Sequence, residues 1–456
     1  MFNSPSNLNL LFIITDQQRY DAIGYTNHLV KTPNLDGLAD QSIVCRQAIV
    51  QSPQCQPSRA SLLTGLYPDN IKMWWNETTL DPKYRTIGNH LIDNGYNTGY
   101  FGKLHIDGEP NYKQVANHYG FTNTYLTEDW IGLIQSNKDH AVNKAKHEFY
   151  SPMQTDIQIS LPLKYMAPWT GKLSSSQSHH EDVVVNNAIR FLQQQKLQHK
   201  PFACFVSFHG PHPPYCSPPP FNDLYRYGDI PLPDQLSTTW FGHQLSKTDW
   251  HNIKAQYYGA IAWIDDYIGQ ILSTVDLSDT LVIFTSDHGD ILGDHGYFSK
   301  GVFTYEGNVR VPLIIHWPGM GRVEYHHPVQ LIDILPTVMD IMGLSFNDKI
   351  DGINLSQSLL SDSPVNEFAF SAIGINPRHY MARQSQYKYN IGDKQQFYDL
   401  VTDPGESVNH IDNPTYAEQL MKIRTGLSDH LSKLNNHHSR NASDCMNRMA
   451  NVIYYS

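Results

Sequence analysis

Cys55 opens the run Cys55-Gln56-Pro57-Ser58-Arg59, which continues as Ala60-Ser61-Leu62-Leu63-Thr64-Gly65. Pro57 suits the first turn of a helix and Gly65 its end. The thiol is thereby placed at a helix N-terminus, where free N–H groups and the helix dipole favour an anion. Arg59, one turn on, is expected to point back at the same oxyanion. A lone cysteine is ordinarily a buried structural thiol. Cys55, however, is flanked by Gln54 and Gln56, whereas Cys45 and Cys204 lie in apolar strand contexts and read as structural.

Two further pairs carry metal-binding chemistry, Asp16-Gln17 and Asp287-His288. Carboxylates and an amide carbonyl suit a hard cation, Ca²⁺ first or Mg²⁺. The imidazole leaves room for Mn²⁺. Taken alone, Asp16 reads better as a helix cap and Asp287-His288-Gly289 as a turn. Beside the Cys55 motif they read as one divalent-metal site.

These residues need elements to bring them together. Leu8–Thr15 is a near-continuous apolar run, as expected of a strand buried on both faces. Similar runs recur at Thr98–Phe101, Phe202–Phe208, Leu281–Thr285 and Pro312–His316. Helical patterns separate them. Ile261, Ile264, Ile268, Ile271, Leu272 and Val275 share one face, and His179–Gln195 and Gln330–Met342 are further candidates. The alternation predicts an α/β fold, with a mostly parallel central sheet flanked by helices over residues 1–345. Shorter strands at Tyr380–Arg383, Tyr387–Ile391 and Gln396–Leu400, with a helix over Pro414–Leu434, predict a smaller C-terminal antiparallel unit over residues 346–456. Open parallel sheets bind ligands beyond the carboxyl ends of their strands. Four predicted strands end in Asp16-Gln17, in Lys103 and His105, in His209 and His212, and in Asp287-His288.

Composition narrows the partners. The 33 basic residues against 44 acidic give a net charge of −11, which argues against a general nucleic-acid binder. A local cationic pocket for a small anion remains compatible with that field. Five cysteines match neither a zinc ribbon nor a disulfide framework. Met1–Asn9 has no basic leader region, and Leu10–Ile14 is too short for a signal core or a membrane span. A cytoplasmic location without membrane association is therefore expected, or a periplasmic or secreted one for a trimmed chain. The sequons at Asn76, Asn354 and Asn441 read as chance matches. Oligomeric state is left open.

The motifs together resemble the sulfatase family of the alkaline phosphatase superfamily. Cys55-x-Pro57-Ser58-Arg59 with Leu63-Thr64-Gly65 is similar to the first family signature, and Gly95 to His105 to the second. Thr32-Pro33-Asn34-Leu35-Asp36, Ser286-Asp287-His288-Gly289, Leu292-Gly293-Asp294-His295-Gly296, Lys300 and Arg310-Val311-Pro312-Leu313 continue the pattern. Tyr398-Asp399-Leu400, Asp403-Pro404, Glu406 and Asn409 resemble the family's ending, so the likeness spans nearly the whole chain.

The resemblance implies that Cys55 is oxidised to formylglycine by a formylglycine-generating enzyme, and that the hydrated aldehyde is the nucleophile. It implies that Asp16, Gln17, Asp287, His288 and the modified Cys55 hold the metal, and that Arg59, Lys103 and His105 hold and activate the hydrate. His212 and Lys300, with Lys103, would grip the sulfate, and His212 would protonate the leaving oxygen. His209 is the alternative imidazole on that loop. Two departures stand out. Gln17 occupies a position where many members carry a second Asp, and Phe298 replaces a frequent Trp.

The expected substrate is a sulfated small molecule or saccharide. Trp74, Trp75, Tyr84 and Trp130 are candidates to stack on sugar faces, with core or rim packing an equal reading. Arg378 and His379 are placed to reach over the pocket as substrate-binding groups. Two alternatives stand beside an O-sulfate ester hydrolase. One is a phosphonate monoester or phosphodiester hydrolase using the same nucleophile; the other is an inactive binding module of the same fold.

Overall fold

The computed structural model describes residues 8–76, 78–107, 116–127, 147–150, 170–173, 180–213, 215–233, 239–240, 243–297, 299–374 and 378–434. Trp130, Phe298, Asn441 and Cys445 lie outside them. The main sheet takes nine strands in chain order: β1 (Asn9–Asp16), β2 (Ile43–Ile49), β3 (Asn97–Gly102), β4 (Asn123–Leu126), β5 (Phe202–Pro211), β6 (Thr280–Ser286), β7 (Arg310–Val311), β8 (Leu313–His316) and β9 (Val323–Gln330). They pair in the order β7-β2-β8-β6-β1-β5-β3-β4, with β9 on β2.

The centre, β6-β1-β5-β3-β4, is parallel. The predicted parallel sheet is therefore present, with one correction. β8 runs antiparallel to both β6 and β2. Its apolar run reflects burial on two faces, which does not fix strand direction. Pro312, without an N–H to donate, separates β7 from β8.

Alternation along the central strands feeds two cores. Leu10, Phe12, Ile14, Phe205, Leu281 and Ile283 belong to one buried cluster; Leu11, Ile13, Cys204, Val206, Val282 and Phe284 belong to the other. Successive side chains of a strand point to opposite faces, so both faces are covered. The first face packs α1 (Cys55–Thr64) through Leu62 and Leu63, together with the later helix Ile334–Ile341. The second packs α2 (His180–Gln198) and α3 (Lys247–Leu272). In α3 the predicted stripe is buried at Ile261, Ile264, Ile268 and Ile271. Ser246 opens that helix with a capping box closed by Asp249. Among the described residues, no helix is long and apolar enough to cross a membrane.

The C-terminal strands β10 (Ala369–Ile373), β11 (His379–Arg383), β12 (Tyr387–Ile391) and β13 (Gln395–Asp399) form an antiparallel sheet, with helix Ala417–Lys433 packed on it. Ala369 and Met381 also enter the first core of the main sheet. A buried ion cluster fastens the two parts. Glu306 pairs with Arg383 at 3.1 Å and Lys388 at 3.3 Å, and Lys388 pairs with Glu406 at 2.8 Å. Glu406 of the terminal motif thus helps to hold the segment that follows Lys300.

Candidate active site

Parallel pairing brings the strand ends together. Thr15 is in register with Ser286, Asp16 with Pro211, and Gly102 with Ser207. Asp16-Gln17, Lys103 and Asp287-His288 therefore emerge at one edge. Gly102 is glycine for a local reason: its φ is +110°, and a Cβ there would lie 1.8 Å from the Ser207 carbonyl oxygen. That close approach lets the Lys103 N–H donate to the same oxygen at 3.0 Å. The helix α1 supplies the remaining wall. Its first residue is Cys55, all ten residues are buried, and Gly65 ends it in the left-handed region at φ +68°.

Cys55 Sγ lies where these elements converge. It is 2.7 Å from Lys300 Nζ, 3.2 Å from His288 Nε2 and 3.8 Å from Asp16 Oδ1. Ligand atoms of Asp16, Cys55, Asp287 and His288 all lie within 4.8 Å of one another. Burial pushes the Cys45 and Cys204 thiols up, and that of Cys216 up to about 12. At Cys55 burial and Asp16 push the same way, but Lys103, Lys300 and His288 outweigh them and hold the thiol well below its ordinary value. All four thiols are free, so among the described residues the environment alone sets Cys55 apart.

The candidate cation ligands are oriented before any ion arrives. His288 Nδ1 lies 2.8 Å from the Gly289 carbonyl, which can only accept. Nδ1 thus carries a proton, which leaves Nε2 as the ring nitrogen that faces the cluster and would bind a cation once deprotonated. Without a cation, burial is outweighed by Asp287 and Cys55, which raise this imidazole above its ordinary value. Nε2 is 3.7 Å from an oxygen of each of Asp16 and Asp287. Gln17 is fully buried at φ +70°, and its N–H donates to Asp287 Oδ1 at 3.0 Å. Its amide oxygen has no hydrogen-bond partner among the described residues. Two carboxylates, an orphaned amide oxygen and an imidazole nitrogen fit a hard divalent cation.

Arg59 differs from the expectation that it faces the oxyanion. Its Nε donates to Asp287 Oδ2 at 2.7 Å, Nη2 reaches Asp16 Oδ2 at 3.4 Å, and Nη1 donates to Ser207 Oγ at 2.8 Å and to the Lys103 carbonyl. The guanidinium is spent on aligning two carboxylates and a strand end. Lys103 Nζ meets Asp16 Oδ2 at 2.6 Å. Burial would raise the Asp16 carboxyl, but Lys103, His212, Lys300 and Arg59 hold it well below the usual range. His105 adopts φ +49°, and burial with Lys103 and Arg59 depresses its imidazole well below its ordinary value.

Of the two loop histidines, His209 is tied to the scaffold. Its Nε2 is 2.6 Å from the Thr127 carbonyl, and its N–H donates to Glu181 Oε1 at 2.8 Å. Both imidazoles lie in the field of Lys103 and Asp16, and His212 in that of Lys300 and Cys55 as well; burial and Lys300 lower the His212 pKa to about 3. Its Nδ1 is 2.7 Å from the Pro213 carbonyl, so neutral His212 presents a bare Nε2.

The C-terminal pair is held by contacts of its own. Arg378 donates to Asp69 at 2.8 Å and to the Gly374 carbonyl at 2.8 Å, which takes up both Nη groups. His379 starts β11 with its ring over Gly392, where a Cβ would be 2.6 Å from Nδ1. The Tyr84 hydroxyl donates to the Asn70 carbonyl, and its ring packs on the main core. Trp74 and Trp75 precede Asn76, whose Oδ1 accepts from the Gln56 N–H at 3.1 Å, so this segment flanks the first turn of α1. Sequence reasoning missed Ser207, Tyr257, Asp290 and Ser299. Tyr257 donates to the Gln17 carbonyl at 2.8 Å. No periodicity marks these residues; only the Asp287-His288-Gly289-Asp290 run hints at the third.

The family model for sulfatases matches residues 8–344. The chain belongs to the sulfatase family. A second model, the C-terminal part of N-sulphoglucosamine sulphohydrolase, matches residues 293–436. This sulfatase is 29% identical to an arylsulfatase of Clostridium perfringens, over 91% of the chain and 92% of the relative. It is 29% identical to an ulvan-active sulfatase of Formosa agariphila, over 95% of the chain and 82% of the relative. A solved phosphonate monoester hydrolase from Silicibacter pomeroyi shares the fold with a TM-score of 0.77 at 22% identity, covering 95% and 96% of the two chains. The sulfatase is accordingly a sulfuric ester hydrolase, built on the mostly parallel sheet of the alkaline phosphatase superfamily.

Proposed function

We propose that this sulfatase hydrolyses an O-sulfate ester on a carbohydrate, with residue 55 as the nucleophile after its thiol is oxidised to formylglycine. The observation that carries the reading is the position of Cys55 Sγ, at a helix N-terminus and within 3.8 Å of Lys300, His288 and Asp16 together. Sγ stands in for an oxygen of the modified, hydrated side chain. Asp16, Gln17, Asp287 and His288 would hold a divalent cation, Ca²⁺ by the weight of oxygen donors. When bound, such a cation favours the ionised form of a neighbouring hydroxyl and offsets charge on sulfate oxygens.

The chain's own residues divide the remaining work. Lys300 and Lys103 present ammonium groups where a sulfate would gain charge. Arg59 aligns Asp16 and Asp287 and favours their ionised forms, opposing the burial that raises the Asp287 carboxyl. His105, neutral in its buried cationic setting, is suited to take a proton from residue 55. His212 accepts at Nε2 in the free enzyme. It becomes a proton donor to the leaving oxygen once the negative charge of an arriving sulfate ester, a monoanion, partly offsets that of Lys300 and Lys103 and raises its pKa. Trp74 and Trp75, beside the first turn of α1, are placed to border the sugar, and the ulvan-active relative supports a saccharide.

The test compares steady-state kcat/KM on sulfated saccharides, an aryl sulfate, a phosphodiester and a phosphonate monoester under equal conditions. Sulfate esters are expected to lead, by at least about tenfold, a difference of about 1.4 kcal/mol in transition-state stabilisation. Phosphodiesters or phosphonates reacting far faster would transfer the assignment to the hydrolase class that shares this fold.

A further inference from the structure

Gln17 is the neutral member of the candidate cation set, and its amide is gripped from one side only. Nε2 donates to Asp290 Oδ2 at 2.6 Å and to Ser299 Oγ at 2.9 Å. Asp290 is itself fully buried and fixed. Its Oδ2 also accepts from the Tyr215 hydroxyl at 2.5 Å, and its Oδ1 accepts from the Leu292 N–H at 2.8 Å. The backbone of Gln17 is pinned as well, by Asp287 and Tyr257. Turning the amide over would set its oxygen against the Asp290 carboxylate, acceptor against acceptor. One orientation is therefore allowed, and it leaves a buried amide oxygen without a hydrogen-bond partner among the described residues, on a residue whose N–H bonds Asp287.

We propose that Asp290 is a positioning residue which, through the Gln17 amide, aims the Gln17 oxygen at the divalent cation and supplies from behind it the negative charge that a neutral ligand lacks. Gln17 and Asp290 then form an exchangeable pair, one amide and one carboxylate, in which the order can be inverted but the total charge cannot change. The inference rests on the cation site proposed above. It adds a residue that touches neither cation nor substrate.

The experiment titrates the full-length, chelator-stripped protein with Ca²⁺ by calorimetry and records thermal melting with and without Ca²⁺. The variants are Asp290→Asn, Gln17→Glu and the isosteric double exchange. Asp290→Asn is expected to weaken Ca²⁺ binding by about tenfold or more, as for other groups that orient metal ligands. Gln17→Glu alone is expected to weaken it too, because its carboxylate meets that of Asp290. The double variant, with amide and carboxylate swapped, is expected to recover most of the affinity and of the Ca²⁺-induced rise in melting temperature. Unchanged affinity in Asp290→Asn, or a double variant as weak as the two losses combined, overturns the proposal. Should Asp290→Asn alone fail to fold, recovery of folding and Ca²⁺ binding in the double variant supports it, and no recovery overturns it. A wild-type protein that binds no Ca²⁺ sinks the cation site itself, an outcome distinct from equal binding by wild type and Asp290→Asn.

Discussion

Cys55→Ser, produced in cells that cannot oxidise serine at this position, is expected to turn over sulfate esters at less than about one ten-thousandth of the wild-type rate. Size and burial are nearly conserved by the change, and Lys300, His288 and Asp16 keep their places around residue 55. What is lost is chemical. A serine carbon bears one oxygen, and once that oxygen has taken sulfate the carbon has no second hydroxyl through which to expel it. A single slow turnover per molecule, followed by arrest, is the expected time course in a rapid-mixing assay. Sustained multiple turnover by the serine protein would contradict it.

Arg59→Met is expected to destabilise the cation-free protein by about 3–5 kcal/mol, the usual cost of leaving buried charges without their partner. Arg59, Asp16 and Asp287 are all about 1% exposed or less, so solvent cannot compensate. Four acceptors lose one donor each: two carboxylates, Ser207 Oγ and the Lys103 carbonyl, the last of which keeps Ser207 Oγ and the Tyr100 hydroxyl. Lys103 continues to neutralise Asp16, but Asp287 loses its 2.7 Å guanidinium contact. Urea unfolding in the presence of a chelator measures the effect. Arg59→Lys, which restores the charge without the fork, is expected to recover only part of it. A loss below about 1 kcal/mol, as for an exposed ion pair, would mean that the guanidinium is not what holds the carboxylates.

These two residues also mark how far the sequence can be read. The apolar runs of β1, β3, β5 and β6 are visible because strands buried on both faces need nearly continuous apolar sequence. The residues that follow them are then predicted to share an edge, and they do. β9 escapes notice and β2 shows only as the apolar surroundings of Cys45, because polar residues interrupt them: β2 carries Arg46 and Gln47, and β9 carries Glu324, His326 and His327. Local spacing put Arg59 one turn beyond Cys55 and suggested that it faces the same anion. The carboxylate that captures its Nε lies 228 residues further along the chain, a pairing that no local pattern encodes. Arg378 likewise finds its carboxylate, Asp69, across 309 residues, a pairing that the sequence does not show. Asp290 is no more than hinted at, and Ser299 is invisible, for another reason. Their role is to bond the far side of Gln17, and that becomes apparent only when the two strand ends are side by side.

The central claim is that residue 55 does its chemistry as an oxidised cysteine. Peptide mass spectrometry across residue 55, on enzyme prepared with a formylglycine-generating enzyme present and on enzyme prepared without it, tests this most directly when each preparation is also assayed on a sulfate ester. The aldehyde-bearing peptide should appear only in the first preparation, and specific activity should rise in proportion to its fraction. Full activity in protein whose residue 55 is entirely unmodified cysteine would contradict the account.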